Sequence, residues 1–193
     1  MMRGIQGMME DSRIIDLYFE RSEDAITQTA LKYGRLCRSI AMNITGNYED
    51  AQECENDTYV ATWNAIPPTR PSIFSAFLSR ISRNIALNRY EYNKAGKRNS
   101  QFDLVLEELE ECLSSAYSVE DTYIAGEVAG MINAFLGKLK AETRIMFVRR
   151  YYYADSVKEI AGRLAVSESK VKTTLFRVRQ ELKDYLEVRG VQI

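Results

Sequence analysis

The sequence predicts an all-α protein in which two helical domains are joined by an acidic linker. Three observations lead to this fold class. Apolar residues recur at three- and four-residue spacing along nearly the whole chain, strand-like alternation is absent, and the only three prolines lie between Pro67 and Pro71. The 193 residues are enough for one or two domains. We place the domains at 1–94 and 120–193, with the linker at 95–119.

Four helices are predicted in the first domain. They cover approximately residues 11–20, 22–44, 48–66 and 71–93. The pair Gly46-Asn47 is typical of one helix ending and the next beginning. The proline-rich segment 67–71 predicts a loop, because proline lacks an amide hydrogen and restricts the residue before it.

Charge is unevenly distributed along a chain whose formal net charge is only −1. Residues 80–98 hold six basic side chains against Glu91, whereas residues 101–127 hold eight acidic side chains and no basic one. A basic block followed by an acidic block favours a nucleic-acid ligand, although two solvated helix faces would give the same pattern. Within the acidic block, a short helix is predicted at about 102–110.

The second domain is predicted to be helical from about 119 to 189, and one stretch in it, SVKEIAGRLAVSESKVKTTLFRVRQEL, reads as two helices separated by a tight turn. Val157, Ile160 and Leu164 form one apolar face, and Val171 and Leu175 begin the next. Ser167 can cap the second helix through its hydroxyl. Two short helices joined in this way form a helix-turn-helix.

Basic and hydroxyl side chains occupy the predicted outer face of the second of these helices. They are Ser169, Lys170, Lys172, Thr173, Arg177 and, partly, Arg179. Lysine and arginine neutralise phosphates, and arginine and threonine can also bind base edges in the major groove. The pattern predicts a DNA-reading helix; an ordinary helical hairpin with a charged exterior is the alternative.

The stretch from 156 to 182 resembles the DNA-reading region four of bacterial sigma factors, and the extracytoplasmic-function (ECF) group in particular. The shared residues are Glu159-Ile160-Ala161 and the run VKTTLFRVR from Val171 to Arg179. In the first domain, DAQECENDTYVATW (50–63) resembles the family's polymerase-docking helix, and FSAFLSRISRNIALNR (74–89) resembles its segment that opens and reads the minus-ten element. The loop at 66–73 matches the place where the family captures a flipped base.

The resemblance implies two further sets of site residues. An acidic stripe on the third helix, Asp50, Glu53, Asn56 and Asp57, would dock on core RNA polymerase, and such a stripe suits a basic helical surface of a partner. Residues of the fourth helix would hold the separated strand, with arginines on its backbone and asparagines on its bases: Arg80, Arg83, Asn84, Asn88 and Arg89.

We therefore interpret the chain as an ECF-like sigma factor that directs RNA polymerase to a promoter and helps to melt it. Its expected partners are core RNA polymerase and promoter DNA, an anti-sigma factor being a further partner that the resemblance allows. No catalytic site, metal or cofactor is expected, and the predicted location is the cytoplasm, without a membrane segment or signal peptide. The acidic linker would thread the active-centre cleft of the polymerase or serve as a solvated connector.

Two other classes of function remain as alternatives. A helix-turn-helix repressor or activator would bind duplex DNA without polymerase and would need no docking helix. A nucleic-acid-processing enzyme is disfavoured because the chain has no histidine and no convincing metal-carboxylate cluster or P-loop. The three scattered cysteines form neither a metal-binding spacing nor a disulfide framework.

Overall fold

The structure is a computed structural model that describes residues 8–93, 100–113 and 122–191. All regular secondary structure in these ranges is helical, which confirms the predicted all-α class. The helices are α1 (Asp11–Phe19), α2 (Asp24–Thr45), α3 (Tyr48–Ala65), α4 (Phe74–Asn93), α5 (Ser100–Leu113), α6 (Thr122–Lys138), α7 (Ala141–Tyr151), α8 (Val157–Leu164) and α9 (Glu168–Glu187). The chain forms two compact units, 1–99 and 100–193.

The first unit is built around α2, which packs against α1, α3 and α4. Its core cluster includes Tyr18, Cys37, Ile66, Phe74 and Leu78, all of them buried. The partly buried rings of Trp63 and Phe77 pack against this cluster. Burial of these large apolar side chains is the main favourable contribution to the stability of the unit.

The helix boundaries in the first unit follow from local backbone chemistry. Gly46 ends α2 in the left-handed conformation, with φ of 65°, and its amide donates to the Met42 carbonyl. The Asn47 side chain then caps α3 by accepting a hydrogen bond from the Asp50 amide at 3.0 Å. Thus the predicted end and restart at Gly46-Asn47 are present. Helix α4 begins three residues later than predicted, because the loop continues to Ile73 and the chain enters the core at Phe74.

The second unit contains α5 to α9, and α5 occupies part of the predicted acidic linker at 95–119. This helix packs against α7 and α9, and Phe102 and Val105 on its apolar face are buried. The short helix expected at 102–110 is therefore present, but it is a packed part of the second unit. The remaining linker positions, 95–99 and 114–119, lie outside the described residues.

The helix-turn-helix consists of α8, a three-residue turn and α9. Ser156 and Glu159 form a reciprocal capping box at the start of α8, and the Ser167 hydroxyl accepts from the Lys170 amide at the start of α9. The predicted cap by Ser167 is thus present. The turn begins at Ala165, which takes the left-handed conformation with φ of 53°, so alanine occupies a position at which glycine would be less strained.

Candidate nucleic-acid interface

The direction of the outer face of α9, which the sequence predicts to read DNA, is determined by the apolar residues on the opposite side of the helix. Val171, Leu175, Val178 and Leu182 recur at three- and four-residue intervals and are all buried. This apolar seam fixes the helix against the rest of the unit. As a result, Ser169, Lys170, Lys172, Thr173 and Arg177 all point outward and are exposed, as the sequence predicted.

Several of these outward side chains already have an ionic partner. Lys170 Nζ lies 2.7 Å from Glu142 Oε1, and Arg177 Nε lies 3.5 Å from Glu181 Oε1. Both pairs are solvent-exposed, so they cost little to separate when a phosphate or base competes for the cation. Within the described part of the chain, Lys172 has no ion pair. Lys172 is therefore the most available cation near the N-terminal end of α9.

The side chain of Arg179, which the sequence predicted as a DNA contact, faces the interior of the unit instead. The residue is only 8% exposed. Its guanidinium donates to the Tyr151 hydroxyl at 2.8 Å and lies 3.5 Å from a carboxylate oxygen of Glu108. Arg179 lies two residues after Arg177, and a helical turn of 3.6 residues sends such neighbours to different faces. The structure thus gives Arg179 a packing role.

Sequence reasoning missed Phe176, which is 57% exposed on the outer face of α9 between Thr173 and Arg177. An exposed aromatic ring in this position can contact the methyl group of thymine. The signal was available in the sequence. Phe176 does not fall in the apolar register of Val171, Leu175 and Val178, so it could not be part of the seam.

The acidic stripe on α3 is present and accessible. Glu53, Asn56 and Asp57 are exposed, and Asp50 is half-buried. Among the described residues, Val60 extends the stripe by one turn as an exposed apolar side chain. A mixed acidic and apolar surface of this kind is suited to a partner that presents both basic and apolar groups.

Arg89 joins this acidic stripe to α4. Its guanidinium lies 2.7 Å from Glu53 and 3.6 Å from Asp50, and the Asn93 amide donates to Asp50 at 3.0 Å. The sequence interpretation assigned Arg89 to the separated DNA strand and the two carboxylates to the protein partner. The structure brings these two predicted surfaces into direct contact.

The other predicted strand-binding residues share one side of α4. Arg80, Asn84 and Asn88 recur at four-residue intervals and are exposed, whereas Arg83 is half-buried. Amide side chains spaced by one helical turn can each reach a separate unstacked base. The preceding loop is tied to α1, because Arg70 pairs with Asp16 at 2.6 Å. Capture of a flipped base by this loop stays a prediction.

Two neighbouring residues of α3, Cys54 and Glu55, face the interior of the first unit. Glu55 is buried and binds the Arg38 side chain and the Tyr59 hydroxyl. Cys54 is fully buried, and burial raises the pKa of its thiol to about 11; burial likewise raises the pKa of the Cys37 thiol to about 12. Both thiols are therefore neutral at physiological pH and poorly reactive.

No cluster of three or more potential metal ligands occurs among the residues that the structure describes. Over the same ranges, no helix has both the length and the apolar character needed to cross a membrane.

Comparisons with known proteins agree with this division of the chain. The family model "Sigma-70 region 2" matches residues 30–95, and "Sigma-70, region 4" matches residues 129–182. Together the two models match more than half of the chain. The first model contains the acidic stripe and α4, and the second contains α8 and most of α9.

Curated relatives are similar over most of this chain. The ECF RNA polymerase sigma factor SigE of Mycolicibacterium smegmatis is 24% identical over 76% of the chain, which spans 56% of the length of SigE. SigL of Mycobacterium tuberculosis is 26% identical over 78% of the chain and 82% of SigL. RNA polymerase sigma factor YlaC of Bacillus subtilis is 25% identical over 84% of the chain and 92% of YlaC.

Among solved structures, that of CnrH in complex with the cytosolic domain of CnrY is 21% identical to this chain, with a TM-score of 0.44. The match covers 92% of this chain and 97% of CnrH.

Proposed function

Since the chain belongs to the ECF group of the sigma-70 family, we propose that it is a dissociable subunit of RNA polymerase that directs promoter recognition and opening. Sigma factors are initiation factors and not enzymes, in agreement with the predicted lack of catalysis. The observation that carries the proposal is the presence, in one chain and in this order, of an exposed acidic docking stripe and an exposed basic reader helix.

The second unit would bind the minus-thirty-five element through α9. The apolar seam holds the helix so that Lys172, Thr173 and Arg177 face the major groove, with Phe176 between them. Lysine and arginine supply attraction to phosphates, and arginine and threonine can also read base edges. The side chains nearest the N-terminus of the reader would enter the groove most deeply, as in other helix-turn-helix proteins.

The first unit would perform two tasks on adjacent helices. The stripe on α3, with Glu53, Asn56 and Asp57 exposed, would dock on core polymerase. Arg80, Asn84 and Asn88 on α4 would hold the non-paired strand of the minus-ten element. Binding energy then supports melting, because the contacts made by unstacked bases offset the lost base pairing. Asp50 and Arg89 lie where the two surfaces meet.

Core RNA polymerase and promoter DNA are the proposed partners, which places the protein in the cytoplasm with the transcription machinery. An anti-sigma factor is a further proposed partner, since such proteins control many members of the family.

Sizing of the chain after incubation with core polymerase tests the proposal. We expect a stoichiometric complex that supports transcription from a cognate promoter. A stand-alone repressor or activator would instead bind duplex promoter DNA tightly without polymerase and would form no such complex. Failure to bind core polymerase would overturn the proposal.

A further inference from the structure

One carboxylate of α5 contacts two other helices of the second unit. Arg150 on α7 donates to both carboxylate oxygens of Glu108, at 2.6 and 3.1 Å. The Tyr151 hydroxyl donates to Glu108 at 2.9 Å, and Arg179 of the reader helix lies 3.5 Å away. Glu108 is thus bound by α7 and α9 together.

The contacts continue from Glu108 to the helix-turn-helix. A third nitrogen of Arg150 donates to the Asp155 carbonyl in the segment before α8, at 3.2 Å. The Asp155 carboxylate in turn pairs with Arg149 at 3.2 Å and Arg163 of α8 at 3.6 Å. The network therefore connects α5, α7, α8 and α9. These charge-assisted bonds are directional, and they restrict the rotation of the helices that carry them.

Burial makes this network sensitive to the loss of its central carboxylate. The side chains of Arg150 and Arg179 are only 5% and 10% exposed, and Glu108 lies between them. Without Glu108, two arginines would remain in a poorly solvated site without their shared counter-ion, and they would move towards solvent. Since Arg179 is part of α9, loss of this contact would remove one restraint on the orientation of the reader helix.

We propose that Glu108 is a positioning residue for promoter recognition: from α5, in the segment between the two family-matched regions, it fixes the orientation of the reader helix through Arg150, Tyr151 and Arg179. The DNA-reading unit accordingly includes α5, and it begins well before the residues that match the region-four model. This inference rests on the proposed function of α9.

The test compares Glu108→Ala with Glu107→Ala, which removes the same charge from the exposed neighbouring position of the same helix. Holoenzyme is formed with each full-length chain, and binding to a cognate promoter is compared with binding to the same promoter with a scrambled minus-thirty-five element. We expect Glu108→Ala to lower this specificity ratio at least about fivefold, corresponding to one weak base contact. Glu107→Ala should leave the ratio unchanged.

A double-mutant cycle separates positioning through Arg179 from a general loss of stability. If Glu108 acts through Arg179, the double variant Glu108→Ala/Arg179→Ala should have a specificity ratio no lower than the poorer single variant. Additive losses, or an unchanged ratio in folded Glu108→Ala, would overturn the inference. Glu108→Gln, which keeps the shape of the side chain, provides the same comparison if the alanine variant does not fold.

Amide hydrogen exchange on the free chain keeps this test independent of the proposed function. Faster exchange in α9 of Glu108→Gln, relative to Glu107→Gln, is expected. Equal exchange in the two variants would contradict the coupling of α5 to the reader. If the unaltered chain fails to bind polymerase, the proposed function fails, and the exchange comparison still decides whether Glu108 orients α9.

Discussion

Arg177 and Arg179 are only two residues apart in α9, yet they have opposite environments. Arg177 is exposed beside Glu181, whereas Arg179 is buried against Tyr151 and Glu108. The family resemblance marks both arginines in the same run. Only the packing of α5 and α7 shows that the first is open to a ligand and that the second is enclosed within the unit.

Truncation of the exposed cations should weaken recognition of the minus-thirty-five element. We expect Lys172→Ala and Arg177→Ala each to cost about 1–3 kcal/mol if the residue contacts a base, and less if it contacts only phosphate. Fluorescence anisotropy of holoenzyme on promoter DNA at fixed salt measures the loss. Lys183→Ala, nearer the C-terminal end of α9, is the matched control. Parental affinity in both test variants would contradict the assignment of the reading face.

Glu108 should also make the stability of the second unit sensitive to acid. Although burial alone would raise its pKa, hydrogen bonds and charge attraction from Arg150, Tyr151 and Arg179 outweigh burial and lower the pKa of Glu108 below 4.5. The stabilisation is complete above pH 4.5 and is lost as the pH falls through the lowered folded-state pKa. The loss amounts to about 1.4 kcal/mol for each unit between the folded and unfolded pKa values.

Two spectroscopic signals can assign this acid sensitivity to the second unit. Trp63 is the only tryptophan and lies in the first unit, so its fluorescence follows that unit, whereas circular dichroism follows both. Glu108→Gln should reduce the dependence of the circular-dichroism transition on pH below 4.5 and leave the Trp63 transition unchanged. Glu107→Gln serves as the charge-matched control. An identical acid dependence in the parent and Glu108→Gln would contradict this role of Glu108.

At the scale of secondary-structure elements, α3 has two different sides. One side is buried and includes Cys54, Thr58 and Thr62, while the other carries the exposed acidic stripe. The two threonine hydroxyls donate to carbonyls one turn earlier in the same helix. Their hydrogen bonds are therefore satisfied without any contact to the acidic stripe.

Reversal of one charge on this stripe should weaken docking without unfolding the helix. Asp57→Lys is the preferred variant because Asp57 is exposed, whereas Glu53 also pairs with Arg89. We expect core-polymerase affinity to fall by roughly tenfold or more, the size of effect that like-charge juxtaposition produces. Competition against a labelled sigma subunit measures this affinity, with Glu23→Lys as the control. Normal affinity together with a native circular-dichroism spectrum would exclude the stripe as the docking surface.

The elements differ in how well the sequence predicted them. The boundaries around Gly46-Asn47 and the break before Ser167 were predictable because capping chemistry is local. The place of α5 was not, because its acidic composition resembles that of a solvated linker. Its position depends on tertiary contacts, namely the burial of Phe102 and Val105 and the pairing of Glu108 with Arg150. The environment of Arg89 was missed for the same reason: its partners come from a different helix.

At the scale of the whole molecule, binding to duplex DNA depends on the charge balance of the unit that carries the reader helix. Residues 151–193 carry eight basic and six acidic side chains. Arg163 and Arg179 already interact with carboxylates inside the second unit, which reduces the basic charge that they offer to phosphates. Non-specific attraction to DNA grows with the number of phosphates neutralised, so the isolated chain should bind duplex DNA weakly.

We therefore expect the free protein to bind promoter duplex poorly and the holoenzyme to bind and open it. Electrophoretic mobility shift at one salt concentration compares the two. Nanomolar, sequence-specific binding by the free chain would instead favour the stand-alone regulator.

Promoter opening should depend on α4 separately from initial binding. The double variant Arg83→Ala/Asn84→Ala should form closed complexes normally and melt the promoter less, because its side chains would contact the strand only after the bases unstack. Permanganate reactivity of unpaired thymines measures opening, and closed-complex formation on the same template is the control. Parental reactivity in the double variant would show that these residues do not hold the melted strand.

The buried carboxylate of α3 has an evolutionary consequence through the glycine that it faces. A Cβ atom at Gly34 would lie 2.9 Å from Glu55 Oε1 and 3.0 Å from the Tyr59 hydroxyl, so a side chain at 34 would require the Glu55 carboxylate to shift from its bonds to Arg38 and Tyr59. Descendants of a common ancestor should therefore change the two positions together. Lineages that keep glycine at 34 can retain the carboxylate, and those with a larger residue there should have a shorter or apolar residue at 55. Covariation between positions 34 and 55 among related sequences would support this effect of the close approach.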